Sequence, residues 1–317
     1  MSISRVKTSS ILQGFPKGRS LLTGNDAFIP KPVVTGGTLT SDATYYYRTF
    51  TATGDLVISG SSLTADVLMI GGGGASYSPA AYSQTGDGGG GGAGGAVYGT
   101  GRTITPSTYA IVIGAGGSNS GGTSGNNSTF NSIITSGGGG FRRLEGNVPK
   151  SDPGGCGAGA SDQANPGNIS NQGSFSGYTS YGNRGGRPIS PNSYNSGKVA
   201  GGGGIGGFVD YGGGTGNATE VRGGPGLNTW SSWASATSTG VSGFYGGGGG
   251  GRNGYVGGFG AGGSGGGGTA GDPASSGVAN TGGGGGATQA ASGGPARTGG
   301  NGGSGLFIIR YTKVQVD

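Results

Sequence analysis

Few of the 317 residues have side chains suited to covalent or proton-transfer chemistry. Histidine is absent, so there is no Ser-His-Asp or Cys-His nucleophile pair, no His-ligated zinc and no His pH switch. The single cysteine, Cys156, can build neither an intrachain disulfide nor a four-cysteine metal site. The ten Asp and two Glu are scattered and suggest no acid/base pair of the glycosidase kind. This inventory points away from an enzyme, and no metal or organic cofactor is expected.

Two binding chemistries need weighing. The run VLMIGGGGAS has the form of a strand entering a glycine turn, but SYSPAAYSQTGDGGG follows it where a nucleotide site needs a helix. In a chain with 88 glycines such a fragment arises by chance. Arg184-Gly185-Gly186-Arg187, Arg222-Gly223-Gly224 and Gly251-Arg252-Asn253-Gly254-Tyr255 are similar to RGG-type segments that stack on single-stranded RNA. Such regions carry more arginine per glycine and no bracketing strands. Solvation of loop tips is the simpler role for these arginines, and nucleic acid is not the expected partner.

Aromatic residues are the richer signal. Tyr178, Tyr181, Trp230, Trp233, Phe244 and Tyr245 fall in one third of the chain, and LNTWSSWASATSTG has neither charge nor glycine runs. Flat amphipathic rings at loop ends can dock a sugar or a protein patch, which makes these six the candidate receptor-binding residues. The same rings can instead staple the edges of a thin-cored protein or line a subunit interface. Both roles stay open on sequence alone.

The elements that must position these residues are strands. YYYRTFTA (45–52) and DLVIS (55–59) flank Thr53-Gly54 and predict a hairpin. ADVLMI (65–70), TYAIVIG (108–114), STFNSII (128–134) and LFIIRY (306–311) are further strand-like runs, and no useful helical period occurs. Seven glycines precede residue 65 and none follows 305, so the chain leaves a β framework, passes through glycine and returns. Glycine comes in blocks such as 71–74, 246–251 and 282–286, which excludes the strict triplet of collagen. Such blocks either stay unordered or pack side by side as helices with three residues per turn, backbone bonded to backbone. Strands at both ends favour the ordered bundle. The expectation is an all-β, β-sandwich-like framework carrying a polyglycine II bundle, with negligible α-helix. Strands would occupy about 45–134 and 306–311, with a glycine-rich insertion over 137–305.

Residues 1–40 differ in kind. Arg5, Lys7, Lys17 and Arg19 surround an apolar trio, Ile11, Leu12 and Phe15, and Pro30 and Pro32 mark an extended connector. We expect an attachment segment and linker there; a disordered tail is the alternative. No seven-residue apolar run follows the basic residues, so no signal peptide is expected. No 18-residue apolar stretch exists, so no transmembrane helix is expected either.

YYYRTFTATGDLVISG, ADVLMIGGGGA, GGGGGAGGAVYG, TITPSTYAIVIGAGGSN, NNSTFNSIITSGGGG and GGNGGSGLFIIRY together resemble the glycine-rich domain of tailed-phage virion proteins, over about residues 44–312. The opening ISRVKTSSILQGFPKGRSLLTGN resembles an N-terminal segment shared by structural proteins of marine phages. The insertion FRRLEGNVPKSDPGG (141–155) departs from the plain glycine pattern. The resemblance implies a non-enzymatic virion component, a tail fibre or adhesin made in the host cytoplasm. Its N-terminus would dock on other virion proteins, and it would work as a homo-oligomer, a trimer being usual for fibres. A host surface glycan or protein would be its target. A capsid-decorating or head-fibre protein is the alternative within that class, and an RNA-binding Gly/Arg-rich protein the alternative outside it.

Overall fold

A computed structural model describes residues 30–77, 89–143, 149–160, 168–187, 198–210, 221–253, 258–288 and 297–317. The chain divides into Met1–Pro30 and Lys31–Asp317, and the following concerns the second unit. Two antiparallel sheets dominate it. One has five strands in the order β1 (Val33–Thr35), β4 (Gly54–Ser59), β7 (Ser107–Val112), β8 (Ser128–Phe130) and β9 (Ile133–Thr135). The other has six, in the order β12 (Thr179–Tyr181), β6 (Ala96–Ile104), β5 (Leu63–Ile70), β16 (Leu306–Thr312), β3 (Tyr45–Phe50) and β2 (Thr38–Ser41).

Side-chain alternation explains their placement. In β4, Leu56 and Ile58 are buried while Asp55 and Ser59 are exposed, as period-two patterning requires. Leu56, Ile58, Ile111 and Phe130 from the five-stranded sheet meet Val67, Met69, Phe307 and Ile309 from the six-stranded sheet in one core. The six-stranded sheet is covered on its other face too. There Leu68, Ile70, Leu306 and Ile308 pack with Trp230, Trp233 and Tyr245. Strands buried on both faces read as continuous apolar runs, which accounts for ADVLMI and LFIIRY. The returning strand β16 pairs with both β3 and β5 and lies inside the sheet.

The all-β expectation holds. The α-helix of the described residues is one short element, α1 (Ser231–Thr237). Several local expectations are corrected. β3 and β4 do not pair with each other: β3 joins β16 and β2, whereas β4 joins β1 and β7. Residues 51–53 carry the chain from one sheet to the other, and burial of apolar residues from both strands in the shared core decides this over a local turn. STFNSII is a hairpin, not one strand, because Asn131 and Ser132 both take positive φ (44° and 67°), the geometry of a two-residue turn. The connector does not extend to residue 40, since Val33–Thr35 and Thr38–Ser41 are already strands. AVYGTGRTI, which is not among the strand-like runs named above, is the nine-residue β6.

The glycine segments begin earlier than the expected insertion, at Gly71 where β5 ends. Their backbone N–H groups donate in rotation. Gly71 and Gly74 bond the carbonyls of Gly95 and Gly92; Gly72 and Ala75 bond those of Asn126 and Thr123; Gly73 and Ser76 bond those of Gly303 and Gly300. Each neighbour therefore recurs every third residue. Segment 90–95 repeats the scheme, returning to 200–203, 282–285 and 136–139. A β-strand alternates between two neighbours; these segments serve three. At Gly73 and Gly74 an added Cβ would overlap the carbonyl oxygens of Gly283 and Gly139, so a side chain is sterically excluded there. Two small sheets border this region, β10 (Phe141–Arg143) with β11 (Pro149–Ser151), and β13 (Lys198–Val199) with β14 (Arg252–Asn253) and β15 (Gly258–Phe259).

Candidate functional site

The expected receptor-binding aromatics converge, but mostly inward. Trp230 and Trp233 are only 2% exposed and Tyr245 is fully buried. Trp230 sits 5.6 Å from the Tyr98 ring and 5.3 Å edge-on to Tyr181. Trp233 lies 6.0 Å from Tyr47 and 5.9 Å from Tyr98, both edge-to-face. Such pairs are the favoured arrangement of ring quadrupoles. For these three residues the docking role is corrected to packing: α1 lays both tryptophans on the outer face of the six-stranded sheet, whose apolar residues would otherwise meet water. Of the remaining candidates, Tyr178, Tyr181 and Phe244 are partly exposed. Tyr178 stacks under the Arg102 guanidinium at 4.8 Å.

Charge enters this cluster through residues that the sequence analysis did not single out. Arg310 on β16 donates to Asp66 on β5, Nη2 to Oδ2 at 2.5 Å and Nε to Oδ2 at 3.2 Å. Its guanidinium lies over the rings of Tyr45 at 4.3 Å and Trp233 at 4.6 Å. Asp66 also accepts from the Thr100 hydroxyl and the Gly101 N–H. Burial would raise the Asp66 carboxyl, but the bonds from Arg310, Gly101 and Thr100 outweigh it and hold the group below the ordinary carboxylate range. Tyr47 is pushed up to about 12 by burial and by its bond to Asp42. One signal for this cluster was legible: Arg310 is the single charge in an otherwise apolar strand. Its partner was not, because Asp66 is 244 residues away.

This arrangement fastens a helix to a sheet. Complete burial pushes the Cys156 thiol up to about 12, which disfavours the thiolate at neutral pH. Among the described residues no three or more His, Cys, Asp or Glu side chains gather at metal-binding spacing. The arginines of the RGG-like stretch are engaged: Arg184 pairs with Asp210 at 2.5 Å and lies over Phe208 at 3.7 Å, and Arg187 reaches the same carboxylate at 3.8 Å. Burial opposes ionisation of Asp210, yet Arg184 and Arg187 bring its carboxyl below the usual value. Arg142 and Lys150 share Asp152 in the charged insertion, at 2.9 and 3.8 Å. The expected docking residues Arg5, Lys7, Ile11, Leu12, Phe15, Lys17 and Arg19 lie outside the described residues.

A family model described as a glycine-rich domain matches residues 49–312, from within β3 to the last residue of β16. The chain belongs to the glycine-rich domain family. The match takes in strands of both sheets and the glycine segments between them, and begins after β1, β2 and most of β3. No curated protein matches this glycine-rich domain chain. No helix among its described residues is long and apolar enough to cross a membrane.

Proposed function

We propose that this glycine-rich domain protein is a non-enzymatic structural component of a phage particle, a tail-fibre or adhesin subunit that docks through residues 1–24 and contacts the host surface as a homo-oligomer. The observation that carries the reading is the rotation of backbone hydrogen bonds among three neighbours per segment. Three residues per turn is the period of the polyproline-II family, and we read the segments as a polyglycine II bundle. Such a bundle spends its backbone donors and acceptors internally and leaves little room for side chains. It suits a stiff spacer, and a chemical site would have to be built elsewhere. The sequence resemblance to virion proteins supplies the biological setting.

Attachment through the N-terminal segment rests on its chemistry. Basic residues guide encounter, while burying Leu12 and Phe15 supplies roughly 1.5–3 kcal/mol each. Mass spectrometry of purified particles tests residence, and absence of the protein from them overturns the reading. Particles made with a chain starting near Asn25 test attachment, and a folded but unincorporated protein is expected. A capsid-decorating role predicts the same residence and separates by position in a particle map. The RNA-binding alternative is disfavoured by the engagement of Arg184 and Arg187 with Asp210.

A further inference from the structure

We draw no further inference here: the strongest candidate, the surface patch of Arg142, Lys150, Arg187 and Arg222 at the end of the glycine bundle remote from the two large sheets, carries nothing, because Asp152 and Asp210 already pair with three of these cations and nothing in the structure shows what covers it.

Discussion

At the scale of single residues, the Arg310–Asp66 pair is the polar contact with the most to lose. Asp66→Asn keeps the shape of the side chain and removes the charge that Arg310 faces. A charge-assisted hydrogen bond contributes about 1.5–3 kcal/mol, so the variant should melt several degrees lower at neutral pH. The pH dependence has a definite sign. A carboxyl whose folded value lies below its ordinary 3.8 contributes stability above pH 3.8, lost as pH falls through the folded value. The parent should lose stability below about pH 4 more steeply than Asp66→Asn, measured as the midpoint of thermal unfolding across that range. Equal slopes would show that the pair does not hold the carboxyl down.

Glycine substitutions separate spacer from turn. An alanine at Gly74 would overlap the Gly139 carbonyl oxygen, and backbone on both sides leaves it nowhere to move. Overpacking of that kind costs about 1–3 kcal/mol or more. At Gly121 the nearest atom to an added Cβ is the Thr123 methyl at 3.5 Å, an ordinary contact. Gly121→Ala should therefore be neutral or gain about 0.4–1 kcal/mol through a less flexible unfolded chain. Denaturant midpoints of the two variants check the contrast, and equal effects would contradict close packing of the segments.

Among the elements, β16 decides whether the domain closes. Leu306, Phe307, Ile308 and Ile309 are fully buried and serve both cores, two residues to each. Burial of such side chains supplies about 1.5–3 kcal/mol apiece, a sum comparable with the 5–15 kcal/mol stability of a whole domain. A chain ending at Gly305 should thus fail to fold, seen as loss of the β signal in circular dichroism and as rapid proteolysis. Helix α1 is a lesser element with a clear role. Trp233→Ala removes a side chain packed on Tyr47, Tyr98 and Arg310 and should cost about 3–5 kcal/mol. A near-parental melting temperature for that variant would return Trp233 to the list of docking residues.

For the whole molecule, the glycine segments and the strands should behave as one cooperative unit. Gly71–Ser76 leaves β5 directly, and Gly305, which bonds Gly114, leads directly into β16. Hydrogen exchange should show amides of 71–76 and 90–95 protected to a degree similar to those of β5 and β16, because opening either needs the same unfolding event. Exchange of the glycine amides at the rate of free peptide, with the strands protected, would refute a packed bundle.

The sequence by itself determined what this chemistry excludes and what the chain is made of. Absent histidine, a lone cysteine and scattered carboxylates are properties of composition and need no fold. Apolar runs such as ADVLMI and LFIIRY announce buried strands, because a strand covered on both faces has no polar side to show. The return of LFIIRY after the glycine predicts that the glycine is tied down at both ends. Tertiary structure alone decided the partners. Period-two alternation marks β3 and β4 as strands without saying that they enter different sheets, since pairing is settled by which cores the two strands can fill together. The tryptophans carried both a docking and a packing reading until the outer face of the six-stranded sheet supplied something to cover. The partner of Arg310 lay 244 residues away, a distance at which no local pattern in the chain carries information.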